Sequence, residues 1–142
     1  MERKIKFRGK DVETDKWVNG DLIQRMGYMP SIMFPYNSNG KVRYGECAVK
    51  RETVGQFTGL LDKNGKEIYE GDIVKTKQFG KELNRGGNFV NVSGYDVFEI
   101  KYINAQFMFN NRLRYFYLHS NTTCEVIGNI HDNPELLKGG AE

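Results

Sequence analysis

The chain has 142 residues, 39% of them hydrophobic and 27% charged, a composition typical of folded globular proteins that excludes a largely disordered chain. The formal net charge is +3 and the sequence pI is near 8.8, below the value of about 9 that marks a dedicated nucleic-acid-binding domain. The length predicts one domain over residues 1–142, built on one hydrophobic core.

The first half of the chain predicts short strands separated by turns. Basic and apolar residues alternate over residues 4–10, which predicts a half-buried strand whose basic side is either a solvated outer face or protection for a sheet edge. Residues 17–24 predict a strand with a bulge or a turn. Two prolines favour a sheet edge for residues 28–34. The turn-rich, charged residues 36–52 predict a loop with a short strand near residues 47–49.

The middle of the chain continues this pattern. Residues 53–58 predict a strand, and the dipeptide Asn64-Gly65 predicts a type I′ hairpin turn. Alternating β-branched residues predict a strand over residues 73–77. The glycine- and asparagine-rich residues 81–88 predict a flexible excursion.

The last third of the chain predicts further strands and one helix. Residues 95–102 alternate, and three of their side chains are expected to point inward: Phe98, Ile100 and Tyr102. The aromatic residues 107–117 and the segment 123–127 predict additional strands. Asn133, followed by proline and glutamate, predicts the start of a short helix. The predicted fold is therefore mainly β, a small barrel or sandwich of short antiparallel strands with one short C-terminal helix.

The sequence carries no signal for export or membrane insertion that we recognise. No stretch has the length of apolar residues that a signal peptide or a membrane span requires. Cys47 and Cys124 are too few for a disulfide framework and fit reduced thiols. We therefore expect a cytoplasmic protein without a membrane partner.

Cysteine and histidine residues do not form a recognisable metal or nucleophile motif. Cys47, Cys124, His119 and His131 are isolated in the sequence, so no metal and no cofactor is predicted. His119 and Cys124 have an odd separation, which places their side chains on opposite faces of a strand. We interpret Cys124 as a buried thiol.

Three carboxylates provide the basis for an enzymatic alternative. Asp21, Glu70 and Asp72 would form a hydrolytic acid and base pair if the fold brought them together. Glu70 and Asp72 flank Gly71 in a predicted tight corner, where hydrogen bonds to the backbone explain an acid without any reaction. We therefore predict no catalytic residues and no enzymatic activity.

The best candidate for a binding site is the segment of residues 112–117, in which basic and aromatic residues alternate. Its four candidate binding residues are Arg112, Arg114, Tyr115 and Tyr117. Such a pattern is typical of a stacking surface for nucleic acid. It also suits a core strand with a basic rim or a subunit interface, and the sequence leaves these alternatives open.

Three blocks together resemble one known family. They read IKFRGK at residues 5–10, QFTGLLDKNGKEIYEGDIV at residues 56–74 and VIGNIHDNPELL at residues 126–137. The chain resembles the YopX family of bacteriophage and prophage proteins. The resemblance implies a mostly β structure and supplies no established activity and no catalytic role.

The function expected from these observations is binding. We expect a phage or prophage accessory protein in the bacterial host cytoplasm that binds a host or phage protein and associates with itself as a homo-oligomer. The alternative is a nucleic-acid-binding protein that uses the basic and aromatic strand. A hydrolytic enzyme with a carboxylate site is the third alternative.

Overall fold

The computed structural model describes residues 3–83, 86–111, 115–118 and 123–139. Within these residues the chain forms eleven β-strands, a short 3-10 helix and one short α-helix, so the mainly β prediction is confirmed. The chain divides into two compact units, Met1–Gly59 and Leu60–Glu142. The single domain over residues 1–142 stays a prediction.

The first unit holds five strands of a six-stranded sheet, in the order β4-β3-β2-β1-β5. β5 begins in this unit, where it pairs with β1, and its last two residues belong to the second unit. The elements are β1 (Phe7–Lys10), β2 (Trp17–Ile23), β3 (Ser31–Ser38), β4 (Lys41–Ala48), the 3-10 helix Arg51–Thr53 and β5 (Gly55–Leu61).

The basic side of β1 packs on aromatic rings. The Arg8 guanidinium carbon lies 4.6 Å from the ring centre of Trp17, and the Lys10 ammonium nitrogen lies 5.5 Å from it. Lys6 lies 5.4 Å from the ring centre of Phe57. Because β1 is an interior strand, edge protection is wrong. The predicted solvated outer face holds only in part, because Lys6, Arg8 and Lys10 are half-buried against aromatic rings.

The buried centre of the first unit depends on a close approach between Gly9 and Val49. Val49 is fully buried, and a Cβ atom on Gly9 would lie 2.9 Å from the Val49 Cβ. The Val49 N–H donates to the carbonyl of Pro30 at 2.9 Å. Ile32 and Phe57 are also buried in this unit. Any side chain at position 9 would displace Val49.

The segment predicted as a loop is a hairpin made of β3 and β4. The two strands pair continuously from Ser31 opposite Ala48 to Ser38 opposite Lys41. Asn39 and Gly40 form the turn with φ angles of 52° and 79°. Positive φ at both central residues is the geometry of a type I′ turn. The loop prediction for residues 36–46 is therefore wrong.

The second unit contains an antiparallel sheet with strand order β10-β9-β8-β7-β11. Because the described strands of both sheets follow linear orders, each sheet is open and the barrel alternative is wrong. The remaining elements are β6 (Glu67–Tyr69), β7 (Asp72–Leu83), β8 (Phe89–Ile103), β9 (Gln106–Asn110), β10 (Tyr115–Tyr117), β11 (Glu125–Asn129) and α1 (Glu135–Gly139).

The predicted flexible excursion is wrong where β7 extends through it. β7 and β8 pair from Ile73 opposite Glu99 to Leu83 opposite Phe89, so residues 81–83 are part of a long hairpin.

The predicted terminal helix is confirmed as α1, which packs against β8. The Asn133 side-chain oxygen accepts the N–H of Asn129 at 3.3 Å.

One face of the second sheet carries the main buried cluster of its unit. The buried residues of this cluster are Ile68, Val74, Phe98, Ile100, Phe109 and Cys124. The Phe98 and Phe109 rings meet edge to face with centres 5.7 Å apart. The inward prediction is confirmed for Phe98 and Ile100 and is wrong for Tyr102, which is 52% exposed and contacts Phe107.

The turn between β5 and β6 is organised by the buried carboxylate of Asp62. Its Oδ1 accepts the N–H groups of Asn64 at 2.8 Å and Lys66 at 2.9 Å, and its Oδ2 accepts that of Val126 at 2.9 Å. Gly65 has a φ of 82°, but Asn64 is not among the residues with positive φ. A hairpin is therefore present as predicted, but a type I′ turn at these two residues is wrong.

No helix in the described part of the chain has the length and apolar character needed to cross a membrane.

Candidate functional site

The described half of the predicted binding segment is strand β10, which places two tyrosines on the surface. Tyr115 is 70% exposed and Tyr117 is 61% exposed. Arg112 and Arg114 lie outside the described residues. The structure therefore describes two of the four predicted binding residues, and both are accessible.

The two tyrosines lie on the face of the sheet opposite to the core. Tyr117 is directly opposite Met108 on β9, which in turn is opposite Lys101 on β8. Directly paired residues point to the same face, and the core residue Phe109 alternates with Met108. Tyr115 and Tyr117 therefore lie on the accessible side of a strand whose other side contacts the core through Leu118.

Among the described strands, β10 is the last one in its sheet, and it leaves backbone groups directed outward. Leu118 donates its N–H to the Phe107 carbonyl at 3.3 Å, and hydrogen-bonded pairs alternate along an antiparallel ladder. Phe116 is therefore the residue of β10 that exchanges hydrogen bonds with β9. The N–H and C=O of Tyr115 and Tyr117 point away from β9, towards the side where another strand would pair.

Lysines share the tyrosine face of the sheet. Lys75, Lys77 and Lys101 are exposed, and the strand register places them on this face. Glu99 lies there too. Burial raises the pKa of the Glu99 carboxyl, Lys101 opposes this shift and Glu70 adds to it. The face thus combines an exposed aromatic strand with several cations, one partly buried acid and two buried apolar residues.

The three carboxylates of the enzymatic alternative occupy different settings. Asp21 is an exposed residue of β2 in the first unit, whereas Glu70 and Asp72 belong to the second unit. Asp72 is 1% exposed, and its Oδ2 accepts the N–H of Tyr69 at 2.7 Å. This contact is the backbone role expected of an acid at a corner.

The cysteines lie in environments that suppress thiolate formation. Cys124 is fully buried, and burial together with Asp62 raises the pKa of its thiol to about 11. Burial also raises the pKa of Cys47, and the nearby acids Asp11 and Glu46 add to that shift. His119 lies outside the described residues. Across the described ranges, no cluster of three or more histidine, cysteine, aspartate or glutamate residues could hold a metal ion.

Two features of the first unit were not predicted from the sequence. One is a cleft of about 440 Å³ lined by residues 24–30 and Arg51, beside which Met26 is 99% exposed and Tyr28 is 71% exposed. Arg51 donates to the Tyr28 carbonyl at 3.3 Å.

The other feature is the outer part of the β3–β4 hairpin, residues 35–44, which we call the ribbon. An exposed methionine has no sequence signature, whereas the Asn-Gly pair at 39 and 40 is a signal from which the hairpin could have been predicted.

A family model identifies the family of this chain. A family model described as YopX protein matches residues 6–138, which is nearly the whole chain. The chain belongs to the YopX family. The crystal structure of protein EF1440 from Enterococcus faecalis is similar to this YopX family member, with a TM-score of 0.60 and 27% sequence identity. The similarity covers 96% of this chain and 99% of that one.

No curated protein matches this YopX family member. The family description and the name EF1440 state no activity. The function of this chain is therefore argued from its own surface.

Proposed function

We propose that this YopX family member is a non-enzymatic binding protein, and that its partner is a host or phage protein that docks on β10. The observation that carries the proposal is the pair of exposed tyrosines, Tyr115 and Tyr117, on a strand that ends its sheet. The phage or prophage setting comes from the family resemblance.

Tyrosine suits this role because it gains much binding free energy for a small loss of side-chain freedom. Its ring buries a large area, its hydroxyl keeps a hydrogen bond at the rim, and only two side-chain torsions lose freedom on binding. Tyrosine is accordingly enriched among the few residues that dominate binding energy at protein interfaces. Two adjacent tyrosines on one face supply an anchor of this kind.

The open backbone of β10 supports a specific binding mode. A partner strand that pairs with Tyr115 and Tyr117 would use the N–H and C=O groups that point away from β9, and its side chains would pack beside the two rings. The same mode serves a second copy of the chain, which makes homo-oligomer formation a natural accompaniment. Main-chain pairing supplies affinity, and the tyrosines supply selectivity.

The test uses the full-length protein and purified partner. Affinity capture from infected bacterial lysate identifies candidates, and calorimetry then measures the dissociation constant of each purified candidate. Tyr115→Ser with Tyr117→Ser is expected to weaken binding by about 2 kcal/mol or more, roughly thirtyfold. Tyr28→Ser is the matched control, because that tyrosine is 71% exposed and lies in the other unit.

A second variant separates strand pairing from ring contacts. Tyr117→Pro removes an outward N–H without removing a hydrogen bond to β9, and it is expected to weaken binding beyond Tyr117→Ala. Equal binding of the wild type and the double serine variant would reject β10 as the docking strand. Analytical ultracentrifugation of the wild type and of the double serine variant tests self-association, which the variant is expected to weaken.

The nucleic-acid alternative is supported by the exposed lysines on the tyrosine face. It predicts binding that weakens steeply with salt. Replacement of Lys75, Lys77 and Lys101 with glutamine should then remove nucleic-acid binding while leaving the ribbon unchanged. Nucleic-acid binding that survives this change does not use the tyrosine face.

A further inference from the structure

The outer part of the β3–β4 hairpin extends beyond the rest of its sheet. In the register of the described first unit, β2 pairs with residues 31–33 of β3, and from Phe34 onward β3 pairs with β4 alone. Four residue pairs follow Phe34 and Gly45 before the turn. At about 3.4 Å per pair, the ribbon is roughly 14 Å long.

Both faces of the ribbon are accessible to solvent. Tyr36 is 46% exposed on one face, and Val42 and Tyr44 are each 67% exposed on the other. No residue of the ribbon is buried. An isolated two-stranded hairpin is marginally stable in water, so a ribbon of this length needs local support.

That support is visible at both ends of the ribbon. At its base the Phe34 ring covers Gly45, so closely that a Cβ atom on Gly45 would lie 2.7 Å from the Phe34 Cζ. At its tip the type I′ turn is closed by Asn37, whose Oδ1 accepts the N–H of Gly40 at 3.0 Å. The Phe34 and Tyr36 rings also contact each other, with centres 6.5 Å apart. The ribbon is held in shape without a third strand.

The charge of the ribbon has one sign. Residues 34–45 contain Lys41 and Arg43 and no aspartate or glutamate, and both cations are exposed. Arg43 is directly opposite Tyr36, and Lys41 is opposite Ser38. These four side chains therefore share one face. It offers cations, hydrogen-bonding groups and an aromatic ring.

We infer that the ribbon is a binding element for duplex nucleic acid, with Lys41 and Arg43 on phosphates and Tyr36 facing the groove. The B-DNA major groove, about 12 Å wide and 8.5 Å deep, admits a two-stranded β-ribbon, and this ribbon is longer than the groove is deep. Cations position a protein on the phosphate backbone, while polar and aromatic groups reach base edges. An acidic groove on a protein is the competing partner, and the test separates the two.

The experiment measures binding of the full chain to a fluorescent 30-base-pair duplex, to one of its single strands and to an acidic peptide. Fluorescence anisotropy at about 50 and 200 mM salt gives the affinity and its salt dependence. Duplex binding is expected at the lower salt and is expected to exceed binding to the single strand. Lys41→Gln with Arg43→Gln should weaken it by about tenfold or more and reduce the salt slope by up to about 2.

A charge-matched control lies on the hairpin turn of the second unit. Lys63→Gln with Lys66→Gln removes the same charge from exposed positions and should leave duplex binding nearly unchanged. Tyr36→Ser should weaken binding without changing the salt slope. The double serine variant at Tyr115 and Tyr117 should bind the duplex like the wild type, because β10 is not part of the ribbon.

Several outcomes would overturn the inference. These are absence of duplex binding at 50 mM salt, equal loss in the ribbon and control variants, preference for the single strand, or binding of the acidic peptide in place of the duplex. Circular dichroism of each variant checks that the sheet is retained. Failure here leaves the proposed docking on β10 untouched, since the two surfaces are mutated separately.

Discussion

The Asp62 carboxylate accepts the backbone N–H of Val126 at 2.9 Å, although 64 positions separate the two residues. The same carboxylate holds its own turn through Asn64 and Lys66. A second hydrogen bond joins the turn to the segment that contains Val126: the Lys63 N–H donates to the Cys124 carbonyl at 2.9 Å. One side chain thus fixes the turn between β5 and β6 against the start of β11.

Replacement of Asp62 by alanine should destabilise the protein markedly. It leaves three backbone N–H groups without their acceptor, and we expect a loss of about 2–4 kcal/mol in the free energy of unfolding, measured by urea denaturation. Asp11→Ala is the control. Asp11 accepts the Glu13 N–H in an exposed turn, so its loss should cost about 1 kcal/mol or less. Equal effects of the two changes would contradict a special role for Asp62.

Acid should remove the contribution of Asp62. Burial raises the pKa of this carboxyl, but the N–H groups of Val126, Lys66 and Asn64 outweigh it and hold the pKa below its ordinary value. Stability from a lowered pKa is present above the unfolded value of about 3.9 and is lost as pH falls through the folded value. The difference in unfolding free energy between wild type and Asp62→Asn should therefore shrink from pH 6 to pH 3. A difference independent of pH would contradict this assignment.

Cys124 should react with thiol reagents only after unfolding. Its full burial and its pKa of about 11 leave very little accessible thiolate at pH 8. The variant Cys47→Ser keeps Cys124 as its single cysteine, so labelling with a chromogenic disulfide should be slow in buffer and rapid in urea. Fast labelling of this variant in its native state would show that Cys124 is accessible.

Ala105→Gly should stabilise the protein. Ala105 has a φ of 64° in the exposed turn between β8 and β9, and left-handed backbone costs an alanine about 1–2 kcal/mol. Greater freedom of glycine in the unfolded chain offsets part of this, leaving a gain of about 0.5–1 kcal/mol in urea denaturation.

The reverse substitution, glycine to alanine, at the tip of the ribbon should destabilise the protein. Gly40 has a φ of 79°, and a Cβ atom there would meet nothing within 4 Å. Gly40→Ala should therefore cost about 1 kcal/mol through backbone strain alone. Similar changes for both variants would mean that the positive φ angles do not control stability at these turns.

Strands with one buried face were predictable, because their side chains alternate. Phe98 and Ile100 were assigned correctly to the core on this basis, and α1 followed from its proline and glutamate at the start. The alternation continues to Tyr102, but that residue lies near the end of β8 beyond the buried cluster. The two-residue alternation of a strand shows which side chains share a face, but it does not show where along the strand that face stops being buried.

The ribbon was missed because both of its faces meet solvent. Its cluster of turn-forming residues followed by charged residues resembled a loop, although Val42 and Tyr44 alternate with Lys41 and Arg43. The basic side of β1 was misread for a related reason, since cations that stack on Trp17 and solvated cations look alike in a sequence. The contact of Asp62 with Val126 depends on a tertiary approach that no local pattern encodes.

The candidate site was predictable only in part. Alternation places Tyr115 and Tyr117 on one side of the strand and Leu118 on the other, and Leu118 packs against the core. It could not decide which of the two faces would be buried, because both contain large apolar residues. That choice depends on Phe109 and Ile100 in the neighbouring strands.

Because the ribbon is exposed, its amino-acid sequence can change more freely than that of the buried strands. Since no side chain from 35 to 44 is buried, most substitutions there remove no packing and stay within the margin of stability that a fold tolerates. Gly45, Asn39 and Gly40 are the exceptions, because they set the shape. The surface of this arm can therefore change while its scaffold stays constant, so one architecture can present many different sets of side chains.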